Sequence, residues 1–231
     1  MADHPSRDRA LLWLQAALFG AAALLLGAWA AVNVEARLYD FFEGRRLDRM
    51  VEATNRVRSE SARRAERPPR STGQAGKPRR SHAPASPAPE LPPVPHWTEI
   101  APADLVGRLE IPRLHVRAII AEGVDSGTLR RAVGHLPGSA MPGETGNVVI
   151  AGHRDTFFRA LKDARPDDVL RITTPQGRFE YVVQATAVVE PTRTDVLLPT
   201  SEPSMTLVTC YPFFLIGNAP DRFVVRARLL E

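Results

Sequence analysis

The C-terminal half of the sequence predicts a mainly β domain, folded as a closed barrel or a sandwich. Two observations lead to this prediction. Seven β-branched runs, separated by turn residues, follow one another over about 130 residues. Apolar residues make up 44% of the chain, which is enough to fill the core of such a domain. The chain therefore contains at least one folded unit, which we place at residues 99–231.

The β-branched runs are bounded by Pro, Gly, Asn and Asp residues, which favour turns between strands. They cover residues 105–111, 116–121, 147–152, 169–173, 179–189, 204–210 and 222–229. Short helices are expected around residues 127–132 and 157–161. Seven or eight strands with so little helix indicate a single β domain.

The N-terminal region contains an apolar stretch over residues 10–32, in which Gln15 is the only strongly polar side chain. At about 1.5 Å per residue, a helix of this length crosses the roughly 30 Å hydrocarbon core of a bilayer. The alternative is a cleaved secretory signal, because Ala28-Trp29-Ala30 resembles a cleavage site. The apolar part of a signal is usually about 7 to 15 residues long, so we predict an uncleaved membrane anchor.

The remaining N-terminal residues divide by composition around this stretch. Residues 1–9 form a short N-terminal segment, which the family resemblance described below places in the cytoplasm. Residues 33–66 mix apolar and charged side chains as in a helix that leaves the membrane surface. Residues 67–98 contain nine prolines and almost no large apolar side chains, which predicts a disordered linker.

The distribution of positive charge around the apolar stretch favours a cytoplasmic C-terminal domain. Arg7 and Arg9 precede the stretch, and four arginines follow it within about 20 residues. The positive-inside rule, used alone, therefore places the following segment in the cytoplasm.

The overall charge excludes nucleic acid as a partner. The chain carries a net charge of +4, but residues 1–98 hold 15 basic and 10 acidic residues, whereas residues 99–231 hold 15 and 16. The folded domain is thus close to neutral and lacks the basic surface that phosphate backbones require.

The single cysteine excludes an intrachain disulfide framework and a multi-thiolate zinc site, and we expect no metal or cofactor.

The single cysteine, Cys210, lies where a predicted strand meets a loop. The next strand begins at Arg222, after a segment rich in Pro and Gly. If the two strands pair as an antiparallel hairpin, Cys210 and Arg222 lie side by side at one rim of the sheet. The alternative is that Cys210 is a small core residue and Arg222 a solvated strand residue.

A histidine occupies a similar position at the end of another strand. The apolar run 147–152 leads directly into His153. His115 and His135 also lie in the predicted domain, but His153 has the clearest strand-end setting. An ordinary cysteine thiol is mostly protonated at neutral pH, and a nearby imidazole is a recognised means of activating it.

Three segments of the sequence resemble the sortases, the membrane-anchored cysteine transpeptidases of bacteria. They are GHLPGSAMPGETGNVVIAGHRDTFF at 134–158, TLVTC at 206–210 and APDRFVVRA at 219–227. The run LVTCYPF, followed by IGNAP before the arginine, is most similar to class D sortases. The resemblance covers roughly residues 105–230.

The resemblance implies an eight-stranded β-barrel with short helices, and it assigns roles to three residues. Cys210 is the expected nucleophile, His153 the general acid and base, and Arg222 the residue that steadies the substrate carbonyl. Sortases act outside the cytoplasmic membrane, so the resemblance outweighs the charge count and predicts a single-pass protein with an extracytoplasmic catalytic domain.

The partners that the resemblance implies are proteins and lipid. The substrates are secreted proteins that carry a sorting signal of the Leu-Pro-x-Thr type. The acyl acceptor is an amine, either of a peptidoglycan precursor or of a pilin-like lysine, and the anchor contacts membrane lipid. We expect Thr206, Val208 and Tyr211 to line the substrate groove, with the loop 211–221 as one lip. His135 is a further candidate for this groove, but the favoured interpretation of His135 is a structural role.

Two other functions remain open from the sequence. One is a different cysteine transpeptidase of the cell wall, of the L,D-transpeptidase kind. Those proteins carry their histidine and cysteine close together, whereas 57 positions separate His153 from Cys210. The other is a membrane-tethered β-barrel binding module in which Cys210 only packs in the core.

Overall fold

A computed structural model describes residues 5–65, 101 and 103–230 of the chain. Within these residues the strands are β1 Leu105–Ile111, β2 Val116–Glu122, β3 Val133–His135, β4 Asn147–Ala151, β5 Val169–Thr174, β6 Gly177–Val189, β7 Ser204–Tyr211 and β8 Asp221–Leu229. The α-helices are α1 Pro5–Ala65 and α2 Ser126–Arg131. Short 3₁₀ helices lie at Pro112–Leu114, Arg159–Asp163 and Thr194–Leu197.

The strands close into a barrel in the order β1-β2-β3-β4-β7-β8-β6-β5. The pairs β2–β3 and β4–β7 are parallel and the others are antiparallel. The barrel confirms the eight-stranded fold that the resemblance implied and excludes the sandwich. All seven β-branched runs are strands; β3, which is only three residues long, was not predicted.

The barrel interior is filled by alternate residues of the strands, because successive side chains point to opposite faces of a sheet. In β5, for example, Leu170 and Ile172 point inward, whereas Arg171 and Thr173 are partly exposed. The large side chains that are completely buried in this core include Leu109, Ile150, Leu170, Ile172, Tyr181 and Met205. This core fixes which side of each strand faces outward.

The apolar stretch and the predicted juxtamembrane segment form one continuous helix, α1, rather than two elements. None of the helices in the described part of the chain combines the length and the hydropathy that a membrane span needs. The span over 10–32 therefore stays a prediction. The predicted linker at 67–98 lies outside the described residues.

The C-terminal part of α1 packs against the outside of the barrel. Leu47 is completely buried, and Asp48 accepts a hydrogen bond of 2.9 Å from Arg108 of β1. The hydroxyl of Tyr39 lies 3.4 Å from the carbonyl oxygen of Ala103, and the guanidinium of Arg131 lies over its ring. These contacts attach α1 to β1, β2 and α2.

An ion pair with a buried carboxylate ties the 3₁₀ helix after β1 to the segment before β5. Asp168 is 4% exposed and accepts hydrogen bonds from Nε and Nη2 of Arg113 and from the backbone N–H of Arg165. The hydrogen bonds from Arg113 are the main cause that holds the pKa of Asp168 below its ordinary value. The ionised carboxylate is thus the form that the native state stabilises.

Replacement of Asp168 by Asn should lower the free energy of unfolding at pH 7 by roughly 1–3 kcal/mol, because the donors around it lose a charged acceptor. Since the native pKa is depressed, this stabilisation is present above the unfolded-state pKa of about 4 and is lost as the pH falls through the native pKa. Urea denaturation of the parent and Asp168→Asn proteins at pH 7 and below pH 4 measures the difference, which should shrink at the lower pH.

The neighbouring Asp167 supplies the matched control. It is exposed and has a φ of 71°, a conformation that Asn adopts as readily as Asp. Asp167→Asn should therefore leave stability nearly unchanged. Equal losses for the two variants would show that the ion pair at Asp168 has no special role.

Candidate active site

Strands β7 and β8 bring Cys210 and Arg222 side by side at one end of the barrel. The two residues are direct partners in the antiparallel register, and the pairing continues by one more step to Tyr211 and Asp221. The connecting loop therefore covers residues 212–220. The arrangement agrees with the hairpin predicted from the sequence.

His153 reaches the same end of the barrel through the parallel pairing of β4 with β7. The backbone N–H of Gly152 donates to the carbonyl of Val208 at 3.1 Å, and the hydroxyl of Thr209 donates to the carbonyl of Gly152 at 2.7 Å. These two hydrogen bonds fix the residue before His153 to the residues just before Cys210. His153 therefore leaves β4 beside the end of β7.

The turn after β4 requires a glycine at position 152. A Cβ built there would lie 2.7 Å from a ring carbon of Phe158, which is completely buried beneath the turn. The backbone N–H of Phe158 donates to the carbonyl of His153 at 3.1 Å and closes the turn. Gly152 thus lets the chain turn tightly enough to present the imidazole at the barrel rim.

Cys210, His153 and Arg222 line one cavity of about 450 Å³, and each is partly exposed. Arg154, Asp155 and the loop residues 217–219 complete the lining. Nη1 of Arg222 donates to the carbonyls of Asp221 at 2.9 Å and Ala219 at 3.3 Å, which holds the guanidinium at the cavity wall. The cavity thus combines a thiol, an imidazole and a guanidinium that is still open to further acceptors.

The four residues expected to bind substrate do not line this cavity. Thr206 is completely buried, and its hydroxyl donates to Oδ1 of Asn147 at 2.8 Å. Val208 is partly buried within β7. Tyr211 stacks on Phe223 with ring centroids 6.4 Å apart. The neighbours of Thr206 in β7, Met205 and Leu207, face the barrel interior, so Thr206 lies on the outer face. There its hydroxyl also lies 3.4 Å from the carbonyl of Val196, and this burial corrects its expected contact with substrate.

His135 does not line the cavity, because its side chain is enclosed in a polar cluster, as the structural interpretation of this residue requires. It is 1% exposed; its Nδ1 lies 2.6 Å from Oε2 of Glu122, and its Nε2 lies 2.9 Å from the hydroxyl of Ser139 and 3.0 Å from the carbonyl of Ala140. This cluster ties the end of β2 to β3 and the loop that follows. Its geometry indicates a structural role.

Arg154 is a site residue that the sequence pattern did not indicate. Its side chain is 9% exposed, and Nη2 donates to the carbonyls of Leu215 at 2.7 Å and Gly217 at 2.6 Å. It therefore ties the loop 212–220 to the residue next to His153. The sequence shows only that Arg154 follows the histidine directly. This adjacency does not reveal that Arg154 binds a loop about 60 positions later.

The loop held by Arg154 carries an exposed apolar tip. Phe214 is 72% exposed and Ile216 is 99% exposed. Arg154→Ala should free the loop, because two hydrogen bonds from a charged donor are lost. Chymotrypsin should then cleave after Phe214 several times faster than in the parent, as measured by mass spectrometry of the fragments.

Arg154→Lys provides the matched variant. Both hydrogen bonds are donated by one nitrogen of Arg154, Nη2. A lysine ammonium has three N–H donors, which is enough to bind both carbonyls. It should restore much of the protection against chymotrypsin. Equal cleavage rates for the parent and the Arg154→Ala protein would show that the loop is held by other contacts.

Comparison with known proteins supports the resemblance drawn from the sequence. The family model described as "Sortase domain" matches residues 109–230. Sortase D of Bacillus subtilis (strain 168) is 38% identical over 120 residues, covering 52% of this chain and 61% of the relative. Sortase A of Listeria monocytogenes is 26% identical over 110 residues, covering 46% of this chain and 49% of the relative. The matched region thus spans less than two thirds of these relatives.

Solved structures agree with these matches. The Clostridium perfringens Sortase D5 transpeptidase superposes with a TM-score of 0.54 at 35% identity, covering 58% of this chain and 84% of that structure. Sortase A of Corynebacterium diphtheriae gives a TM-score of 0.53 at 34% identity, covering 57% of this chain and 63% of that structure. The similarity to Sortase D proteins confirms the resemblance to class D. Since the family model covers more than half of its length, the chain belongs to the sortase family.

Proposed function

We propose that this protein is a sortase-type cysteine transpeptidase, anchored in the cytoplasmic membrane with its catalytic domain outside. It cleaves a sorting signal of the Leu-Pro-x-Thr type near the C-terminus of secreted proteins and transfers the cleaved protein to an amine. The observation that supports this proposal is the single cavity shared by Cys210, His153 and Arg222.

The first half-reaction forms a thioester. The Cys210 thiolate attacks the carbonyl carbon of the bond after the threonine of the signal, and the carbonyl oxygen becomes an oxyanion. Arg222 is the donor proposed for that oxygen, because its guanidinium lies beside Cys210 and is held by backbone carbonyls. A preorganised donor of this kind is worth about 3 kcal/mol in transition-state stabilisation.

The intermediate then expels the C-terminal fragment as an amine. An amine leaves readily only when it is protonated, and His153 as imidazolium donates that proton. The acyl group remains on Cys210. In the second half-reaction an incoming amine attacks the thioester, His153 accepts its proton, and the Cys210 thiolate is released. Water competes with the amine as a slower acceptor, and the kinetics should be ping-pong.

The anchor proposal is supported by exposed apolar side chains along the N-terminal part of α1. The large ones among residues 12–26 are 58% to 77% exposed in the structure, on a helix whose C-terminal part packs on the barrel. Burial of such side chains in a bilayer removes apolar surface from water. They are Leu12, Trp13, Leu14, Leu18, Phe19, Leu24, Leu25 and Leu26.

A peptide ending in a Leu-Pro-x-Thr-type signal should convert Cys210 of the full-length protein to a thioester, detected as a mass increase by mass spectrometry. Cys210→Ala should abolish the adduct. His153→Ala should slow turnover by roughly 10²- to 10⁴-fold, and Arg222→Ala by roughly 10²- to 10³-fold. Turnover of the peptide by Cys210→Ala at the parental rate would contradict the proposal.

The single cysteine also allows one labelling experiment to test topology and accessibility together. A membrane-impermeant maleimide added to intact cells should label Cys210, because the residue lines an open cavity and the proposed orientation places that cavity outside the cell. A permeant maleimide should label it as well, and Cys210→Ala should remain unlabelled with both reagents.

The two other labelling outcomes would contradict different parts of the proposal. Labelling by the permeant reagent alone would place the domain in the cytoplasm and contradict the proposed orientation. Labelling only after denaturation would show a sealed cysteine and would favour the β-barrel binding module over an enzyme. The binding module is not favoured, because Cys210 is partly exposed and lines one cavity with His153. The other cell-wall transpeptidase is not favoured, because the sortase family model matches residues 109–230.

A further inference from the structure

A second, larger groove of about 1400 Å³ separates α1 from the barrel wall. The α1 residues that line it recur every three or four positions, partly as adjacent pairs, so they share one face of the helix. They include Arg37, Asp40, Phe41, Gly44, Arg45 and Asp48. The groove therefore exists only because α1 packs along the barrel.

The groove meets the catalytic cavity beside His153. Its barrel wall contains the start of β2, part of α2 and residues 155–163. Asp155 lines both the groove and the catalytic cavity, and it lies two positions after His153. A ligand lying in the groove can thus extend one end toward the imidazole.

The side chains that line the groove leave an excess of positive charge. Asp48 is paired with Arg108 and Asp163 with Lys162, so these two carboxylates are already neutralised. Only Asp40 and Asp155 remain as lining carboxylates without a described ion pair. Among the described residues, four exposed groove arginines also have no ion pair: Arg37, Arg45, Arg130 and Arg159.

The position and charge of the groove suit the acyl acceptor rather than the sorting signal. In the second half-reaction the amine must approach where His153 can accept its proton. Leu and Pro side chains gain little from a charged surface, whereas a phosphate or carboxylate forms charge-assisted hydrogen bonds with arginine. We propose that this groove binds the acyl acceptor, and that the acceptor is an amine carrying an anionic group. This inference rests on the proposed transpeptidase function.

Three small amines of similar length test the proposal: ethanolamine, O-phosphoethanolamine and β-alanine. The full-length protein is acylated by a signal peptide. Mass spectrometry then measures the fractions of the thioester that are hydrolysed by water and transferred to the amine as the amine concentration increases. An anionic amine should reach half-maximal transfer at a concentration roughly tenfold lower than ethanolamine. The two anionic amines distinguish a phosphate-bearing acceptor from a carboxylate-bearing one.

Charge reversal in the groove should remove this preference. Arg37→Glu on the helix wall and Arg159→Glu on the barrel wall should each raise the half-maximal concentration for the anionic amines roughly tenfold. The effect on ethanolamine should be much smaller. Arg63→Glu, an exposed arginine of the same helix that does not line the groove, serves as the control and should leave all three amines unchanged.

Equal use of the three amines by the parent, or equal effects of the variants on all three, would overturn the proposal. A titration that needs no catalysis separates this failure from a failure of the proposed function. O-phosphoethanolamine added to full-length Cys210→Ala protein should shift the amide NMR signals of residues 37–45 and 155–163. If these signals do not move, the groove does not bind the anion, whether or not the protein forms a thioester.

Discussion

The arrangement of the proposed catalytic residues, Cys210, His153 and Arg222, depends on the position of β7 between β4 and β8. Its antiparallel register with β8 places Cys210 opposite Arg222. Its parallel register with β4 aligns Ala151 with Val208, and the hydrogen bond from Gly152 to Val208 continues this alignment to the residue before His153. A slip of one residue in either pairing would turn the side chains of the slipped strand to the opposite face. The apolar side chains of β7 in the closed barrel, such as Met205 and Leu207, oppose such a slip because they are completely buried.

The ends of β4, β7 and β8 position the thiol, the imidazole and the guanidinium, and a loop and the helix α1 border the space around these groups. The loop 212–220 forms one wall of the cavity and is tied back to the His153 turn by Arg154. On the other side, α1 and residues 155–163 form a cationic groove that opens at Asp155. In the proposed mechanism, the two half-reactions use different approaches to one thiol. The peptide binds at the barrel rim, and the amine arrives along the helix.

The sequence predicted the strands well because their signals are local. β1 begins and ends at the predicted residues, and β7 and β8 each extend by one residue beyond the prediction. β3 was missed because three residues that include a glycine do not form a β-branched run. The continuous helix α1 was divided in two because its composition changes near residue 33 while its backbone does not.

The part of the site that lies in a single hairpin could be predicted from the sequence. Cys210 and Arg222 flank a loop, so their proximity follows from a hairpin alone, whereas the position of His153 depends on the parallel pairing of β4 with β7 and came from the family resemblance. The errors concern side-chain surroundings. The Thr206 hydroxyl donates to Asn147, 59 positions away, and Arg154 donates to backbone carbonyls 61 and 63 positions away. The contact of His135 with Glu122 depends on the pairing of β2 with the short strand β3, which was not predicted. No local pattern reveals such partners.

A crystal structure of the full-length protein acylated on Cys210 by a signal peptide would test the proposed catalytic geometry most directly. We expect the thioester carbonyl oxygen to lie within hydrogen-bond distance of the Arg222 guanidinium, with the His153 imidazole beside the thioester on the side that faces Asp155. A carbonyl oxygen pointing away from Arg222, or an imidazole too far from the thioester to exchange a proton with an incoming amine, would contradict this geometry.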